Sequence, residues 1–297
     1  MSTVPTPPRT ILLATDMSAR CDRALDRAVQ LARQWNAQLV TLTVVEPGTL
    51  SVERIRATPL PSWASTLDDP VRRAFQRLRH DAAASDVDIV PRVEEGKVPE
   101  VLARVAAEVN AGLIVTGIAR NESLGRTVLG SSVDWLARHA TIPVLVVRDR
   151  VQGPYRSVVV ASDFSPSSRL ALEASLALFP STETTVLHSF DVPFLGMMDT
   201  TRASAIKEAG QAALIEGGRF LEGAALTPEQ RAHVRVLAEH GEPVRLTYEY
   251  ARDHADLIAL GTHGRSALFD ILIGSIARRI LETAATDVLL VRDPKSA

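Results

Sequence analysis

A glycine-rich segment, GTHGRSALFDILIGS, follows an apolar run near the end of the chain and has residue types suited to binding a phosphate. Gly261 and Gly264 have no side chains, so a ligand could lie directly against the main chain there. Gly274 and Ser275 open a helical pattern, and the start of a helix offers free N–H groups and the positive end of its dipole to an anion. Asp163 ends an earlier apolar run, where its carboxylate could accept hydrogen bonds from a ribose or a base. Together these residues predict a nucleotide site.

The sequence contains a long internal repeat, and the glycine-rich segment is part of it. RTILLATDMSARCDRALDRAVQLA in the first half returns as RSVVVASDFSPSSRLALEASLAL in the second, so that Asp16 corresponds to Asp163. GIARNESLGRTVLGS in the first half likewise corresponds to the segment above. Glycines in turns are often needed only because the backbone has a positive φ there, and Ser275 could simply cap a helix. The same spacing recurs in both halves beside an aspartate at a strand end, which favours ligand binding. We predict two homologous domains, residues 1–152 and 153–297, which meet where Gly-Pro interrupts the pattern.

Each half alternates short apolar runs with helical periodicity. The predicted strands are 11–14, 39–45, 87–93, 113–115 and 144–147 in the first half, and 157–161, 185–187, 234–238, 257–260 and 288–291 in the second. Continuously apolar strands are typical of a sheet that is buried on both faces, and the helical segments between them favour right-handed crossovers. The predicted fold class is therefore α/β, with an open parallel sheet covered by helices in each half.

Composition excludes several classes of protein. The 297 residues are 46% hydrophobic with a formal net charge of −2, which is typical of a globular protein and gives no overall attraction to nucleic acid or an anionic membrane. No apolar stretch approaches the length of a membrane span. Cys21 is the only cysteine, so an internal disulfide is impossible and we expect a reducing, cytoplasmic location.

Ligands of open parallel sheets bind beyond the carboxyl ends of the strands, where the strand order reverses. If the first strand is central and the fourth lies beside it, this crevice falls between Asp163 and Gly261. The segment GRTVLGSS in the first half imitates a P-loop, but Ser131 occupies the position of the required lysine, so it is not a Walker site.

The spacing G-x2-G-x9-G-[ST], matched in full by Gly261, Gly264, Gly274 and Ser275, resembles the universal stress protein family in its tandem two-domain form. The resemblance implies five-stranded domains of strand order 3-2-1-4-5, many of which bind ATP. It implies that Asp163 contacts the ribose or base and that Ser189 offers main-chain groups to adenine. The residues that would hold the phosphates are Gly261, Gly264, Gly274, Ser275 and Ile276.

The first half departs from this motif because Arg120 replaces the second glycine. Its other matching residues are Asp16, Val44, Gly117, Gly130, Ser131 and Ser132. The arginine could fill the space that a phosphate needs, or its guanidinium could bind the phosphate. Since Gly112 also replaces the acid at Asp256, we expect weakened or absent binding in this half.

The expected ligand is an adenine nucleotide, ATP with or without Mg²⁺, and no residues suggest a structural metal site. His188 and Ser189 are neighbours in a strand and point to opposite faces, so they do not form a catalytic pair. We expect a stress or signalling protein that acts through nucleotide occupancy rather than turnover. Slow ATP hydrolysis or self-phosphorylation is one alternative, and a nucleotide-free scaffold is another. We expect the two domains to pair with each other; whether the chain also forms a homodimer stays open.

Overall fold

The computed structural model describes residues 7–17, 21–45, 86–118, 122–123, 126–127, 130–193, 202–262 and 273–293. Their strands are β1 (Thr10–Ala14), β2 (Gln38–Val45), β3 (Ile89–Glu95), β4 (Leu113–Gly117), β5 (Glu122–Ser123), β6 (Arg126–Thr127), β7 (Val144–Val147), β8 (Ser157–Ser162), β9 (Glu183–Phe190), β10 (Val234–His240), β11 (Leu257–Gly261) and β12 (Asp287–Val291). Their helices are α1 (Asp22–Trp35), α2 (Val98–Glu108), α3 (Ser131–His139), α4 (Pro166–Leu178), α5 (Arg202–Glu222), α6 (Pro228–Ala232), α7 (Pro243–His254) and α8 (Ser275–Thr283).

Each half forms a parallel sheet with helices on both faces, which confirms the predicted fold class. The strand order is β3-β2-β1-β4-β7 in the first half and β10-β9-β8-β11-β12 in the second, and both orders read 3-2-1-4-5. The predicted strands differ from those in the structure by a few residues at their ends. The β5–β6 hairpin, which follows β4, was not predicted.

The two sheets join edge to edge into one ten-stranded sheet, because β7 pairs with β12 in antiparallel orientation. Leu145 pairs with Leu289, and these two residues occupy equivalent positions in the repeat. The pairing is therefore symmetric about an approximate twofold axis. The predicted boundary at residue 152 falls in the connection between β7 and β8.

Helices cover both faces of this sheet, and each face has a hydrophobic core that runs through both halves. On one face, side chains of α1, α4 and α5 pack on the strands, as Leu31, Leu172 and Phe220 do. On the other face, α2, α3, α7 and α8 contribute buried residues such as Leu136 and Leu281. The alternation of side chains along each strand divides the apolar residues between the two cores.

A buried polar cluster lies beside the β7–β12 junction, on one side of the approximate twofold axis. Asp287 has no exposed surface, and its Oδ1 accepts hydrogen bonds from the N–H groups of Arg148 and Asp149 at 2.7 and 2.9 Å. The hydroxyl of Tyr155 donates to Oδ2 at 2.5 Å, and Arg27 Nε lies 3.4 Å from the same oxygen. This carboxylate thereby connects β12 to the interdomain connection and to α1.

Arg27 and Tyr155 also contact each other within the cluster. The guanidinium carbon of Arg27 lies 4.0 Å from the centre of the Tyr155 ring, and Arg27 Nη1 donates to the carbonyl of Gly153 at 2.8 Å. Burial, followed by the nearby charge of Asp287, raises the pKa of Tyr155 well above its usual value. The tyrosine therefore stays protonated and keeps donating to the carboxylate throughout the physiological pH range.

No helix among the described residues combines the length and the apolar character that a membrane span requires.

We expect the substitution Asp287→Ala to lower the free energy of unfolding by about 3–5 kcal/mol, because it leaves the buried guanidinium of Arg27 without its carboxylate. Urea denaturation of the full chain measures this change. The matched control is Asp253→Ala, which removes a carboxylate from an exposed ion pair with Arg252 and should have little effect. Equal stability losses in the two variants would contradict a special role for the buried cluster.

Candidate functional site

The C-terminal half contains a cleft at the position where its strand order reverses. β8 and β11 are neighbours, and the cleft opens at their carboxyl ends between α7 and α8, with a volume of about 210 Å³. The residues that line it are Ala161, Ser162, Asp163, Ser168, Leu187, Ser189, Pro243, Thr247, Leu260, Gly261, Gly274, Ser275, Ile276, Ala277 and Ile280. The cleft therefore brings together every predicted site residue of this half except Gly264, which lies outside the described residues.

A tight turn after β8 positions Asp163 at the mouth of the cleft. The hydroxyl of Ser162 accepts a hydrogen bond from the N–H of Phe164 at 3.0 Å, and Asp163 Oδ1 accepts one from the N–H of Ser165 at 3.0 Å. Phe164 has a φ of 59°, a left-handed backbone conformation that residues other than glycine rarely adopt. Such strained residues persist where the surrounding structure fixes them, and they cluster at functional sites.

The first half contains the same turn after β1. The N–H of Met17 donates to the hydroxyl of Thr15 at 3.0 Å, and Met17 has a φ of 58°. The shared signal in the sequence is a hydroxyl residue directly before the aspartate in both repeats, Thr15 and Ser162. The predicted site residues include the aspartates but not these hydroxyls, which hold the turn.

Ser189 directs its main chain toward the cleft, while its side chain bonds elsewhere. Its hydroxyl donates to the carbonyl of Gly241 at 2.7 Å. Alternate residues of a strand hydrogen-bond to opposite neighbours, and the N–H of Glu183 donates toward β8, to the carbonyl of Arg156. Ser189 lies six residues later and faces the same side, but the β8–β9 pairing ends one residue before it, at His188. Its carbonyl therefore points into the space beyond β8.

His188 packs against the turn after β8. Its ring stacks on Phe164 with a centroid distance of 4.2 Å, and Nδ1 lies 2.9 Å from the carbonyl oxygen of Ser162. These contacts agree with a packed, bridging histidine. The hydroxyl of Ser189 is bonded to Gly241, so His188 and Ser189 do not pair as base and nucleophile.

Gly261 has a packing role that was not predicted from the sequence. A Cβ at this position would lie 2.5 Å from the Oγ of Ser167 and 2.7 Å from its main-chain carbon and oxygen. Ser167 belongs to α4, which covers the face of the sheet opposite α7 and α8. The glycine therefore permits α4 to pack closely on β11, and only its main chain borders the cleft.

The first turn of α8 borders the cleft with its main-chain N–H groups. Gly274 precedes the helix in an extended conformation, and no side chain of the described residues caps the N–H groups of the first turn. The N–H of Gly274 donates to the carbonyl of Thr262 at 2.8 Å, which anchors the start of the helix to β11. Ser275 and Ile276 are exposed at this end. Free N–H groups and the positive end of a helix dipole can together bind an anion.

The N-terminal half contains an equivalent cleft of about 230 Å³. The predicted residues that line it are Asp16, Val44, Gly117, Gly130, Ser131 and Ser132, whereas Arg120 lies outside the described residues. Cys21 also lines this cleft, and its thiol donates to Asp16 Oδ1 at 3.2 Å. Burial raises the pKa of the Cys21 thiol, so it stays protonated at neutral pH.

Asp256 and Gly112 do not bear on the clefts, contrary to the argument made from sequence. Asp256 precedes β11, and its Oδ2 accepts hydrogen bonds from the N–H groups of Arg156 and Ser157 at 2.8 and 3.1 Å. These contacts lie at the amino ends of the strands, at the opposite edge from the cleft. A Cβ on Gly112 would lie 2.4 Å from the Cβ of Pro8, so packing explains that glycine.

Within the described parts of the chain, no three histidine, cysteine, aspartate or glutamate residues lie together in a way that could hold a metal ion. The arginines near the start of α8 are already paired. Arg278 contacts Glu282 at 3.0 Å, and Arg279 contacts Glu242 at 3.3 Å. Among the residues that the structure describes, the groups that this cleft offers to an anion are the first-turn N–H groups and the hydroxyl of Ser275.

We expect Gly261→Ala to lower the free energy of unfolding by about 1–3 kcal/mol even without a ligand, because the new methyl group collides with Ser167. Thermal unfolding of the ligand-free protein measures this loss. Gly218→Ala on α5 is the matched control, because a Cβ there meets nothing within 4 Å and alanine favours the helix. An alanine at position 261 that left stability unchanged would refute the packing role.

Comparisons with known proteins agree with the two-domain architecture. The sequence profile of the Universal stress protein family matches residues 8–148 and again residues 154–292. A universal stress protein from Mycolicibacterium smegmatis (strain ATCC 700084 / mc(2)155) is 27% identical over 293 residues, which cover 95% of this chain and 96% of the relative. The crystal structure of a universal stress protein from Archaeoglobus fulgidus DSM 4304 superposes with a TM-score of 0.64 at 17% identity, covering 96% of this chain and 98% of that one. A functionally unknown protein from Pseudomonas aeruginosa PAO1 gives 0.63 at 20% identity, covering 97% and 94%. Both crystal structures share the fold of this chain.

Proposed function

The chain belongs to the universal stress protein family, and we propose that it binds an adenine nucleotide, ATP, in the C-terminal cleft. Occupancy of this cleft, rather than turnover of the nucleotide, sets the conformation or the partner surface through which the protein acts in a stress response. The observation that carries this proposal is the first turn of α8, which no described side chain caps and which faces a cleft that also contains a carboxylate and an apolar floor.

The cleft offers a different kind of group to each part of a nucleotide. The first-turn N–H groups of α8 and the hydroxyl of Ser275 suit the phosphates. Asp163, held by the turn after β8, is a hydrogen-bond acceptor suited to ribose hydroxyls. The apolar floor of Leu187, Leu260 and Ile280 suits the base, with the carbonyl of Ser189 at its edge. In this proposal Gly261, Gly264, Gly274 and Ile276 contribute main-chain surface to the phosphate end.

Binding without fast turnover is supported by the side chains around the phosphate end. Efficient phosphoryl transfer needs a positioned nucleophile and cations on the transferred group. Arg278 and Arg279 are engaged with glutamates, and Asp163 is bonded to its own turn. Slow ATP hydrolysis or self-phosphorylation on Ser275 is the alternative, and an assay of phosphate release with ATP and Mg²⁺ separates turnover from binding.

We propose that the N-terminal cleft is the weaker site, so that one nucleotide binds per chain. Its described residues leave a space about as large as that of the C-terminal cleft. The proposal rests on Arg120 in place of a motif glycine and on the thiol of Cys21 bonded to Asp16. A cytoplasmic location and the absence of nucleic-acid or membrane partners belong to the same proposal. The near-zero net charge supports the absence of these partners.

We expect Ser275→Asp to weaken ATP binding about tenfold or more, because it places a negative charge where the phosphates would lie. An acidic residue at the start of a helix interacts favourably with the helix dipole, so the variant should fold. Isothermal titration calorimetry of the full chain measures both affinity and stoichiometry.

The matched variant is Ser131→Asp, which makes the same change at the start of α3 in the N-terminal cleft. It should leave the affinity and the stoichiometry of about one nucleotide per chain unchanged. Loss of a second equivalent of ATP in Ser131→Asp would show that both clefts bind. A wild-type protein that bound no ATP would contradict the proposed function and favour a nucleotide-free scaffold.

A further inference from the structure

The C-terminal cleft contains a buried hydroxyl that the nucleotide motif does not include. Thr247, on α7, lines the cleft and is only 2% exposed. Its counterpart in the repeat is Leu102 on α2, which is 1% exposed and lines the N-terminal cleft. The two clefts therefore differ in polarity at one equivalent and buried position.

The hydroxyl of Thr247 forms no hydrogen bond with any residue in the described part of the chain. A threonine inside a helix commonly bonds to the carbonyl one turn earlier, as Thr283 does with Arg279 at 2.8 Å. The buried Thr185 likewise has partners, since Arg235 donates to its hydroxyl at 2.9 Å and the hydroxyl of Tyr250 lies 3.0 Å away. The Thr247 oxygen is open to the cleft rather than sealed in the core. A ligand that fills the cleft without pairing with Thr247 leaves this hydroxyl unsatisfied, so a ligand that pairs with it binds more tightly.

The surroundings of Thr247 indicate which part of a ligand it meets. Thr247 shares the lining of the cleft with the apolar side chains of Leu187, Leu260 and Ile280, whereas the main-chain N–H groups suited to phosphate lie at the start of α8. A flat, largely apolar group with polar atoms on its edge fits such a floor, and a nucleotide base has this character. The ribose and the phosphates do not.

We propose that the Thr247 hydroxyl recognises the base of the nucleotide by a hydrogen bond to its edge, and so determines base specificity in the C-terminal cleft. This inference rests on the proposed function, that a nucleotide occupies this cleft. Leu102 cannot form such a bond, so the N-terminal cleft lacks this means of discrimination.

The test compares two probes, ATP and ribose 5-triphosphate, which has the sugar and the phosphates without a base. In Thr247→Val, a side chain of similar shape replaces the hydroxyl, and a polar atom of the base loses its partner. We expect this variant to bind ATP about tenfold more weakly than the wild type and ribose 5-triphosphate equally well, as measured by calorimetry or by competition. Thr247→Ser keeps the hydroxyl and should bind ATP with an affinity close to that of the wild type.

Thr185→Val is the matched control, because it removes a buried threonine hydroxyl that lies outside the cleft lining and should leave both affinities unchanged. The inference is overturned if Thr247→Val binds ATP as tightly as the wild type, and the proposed function survives that result. An equal loss for both probes also overturns it, because the change then acts on the whole cleft. If the wild type binds neither probe, the proposed function itself fails.

Discussion

The antiparallel pairing of β7 with β12 is the constraint on which the arrangement of both clefts depends. Within each half the strands are parallel, so the clefts at their carboxyl ends are fixed by the direction of the strands. Because the two halves meet in antiparallel orientation, their carboxyl ends lie at opposite edges of the ten-stranded sheet. The same face carries α3 and α8, whose first turns border the two clefts. One pair of strands thus sets both the separation and the relative direction of the two candidate sites.

The approximate twofold symmetry at this junction holds for the main chain but not for the side chains. The carboxylate of Asp287, the guanidinium of Arg27 and the phenol of Tyr155 lie together on one side of the axis. The equivalent positions on the other side are Pro143, Ala174 and Pro8, which line a cavity of about 370 Å³. Buried ion pairs are sensitive to the loss of one partner, so the single cluster makes one side of the junction far less tolerant of substitution than the other.

The local sequence pattern was sufficient to predict the strands, because buried parallel strands are apolar along their whole length. The repeat identified equivalent residues in the two halves, and this was sufficient to predict the place of the cleft. Pattern could not assign Gly261 to packing, since its neighbour Ser167 is distant in sequence and only the fold brings them together. Pairing of the final strands was considered only for the scaffold alternative, and the pattern could not fix the register that places Leu145 opposite Leu289, because apolar edge strands do not specify a partner. Thr247 was missed because a threonine in a helix is unremarkable until its surroundings are known. The glycine–serine motif, by contrast, was visible because its chemistry depends on residues close together in the chain.

The connection between β7 and β8 spans only residues 148–156 and ties the paired sheets into one chain. Such a short tether raises the effective concentration of one half near the other to the order of millimolar, so the pairing is independent of how dilute the protein is. A dimer of separate chains must survive dilution and must carry every contact twice. This chain is free of both requirements. One side of the junction can therefore carry a buried carboxylate that the other side lacks, and the residues of the two clefts can differ without weakening the sheet they share.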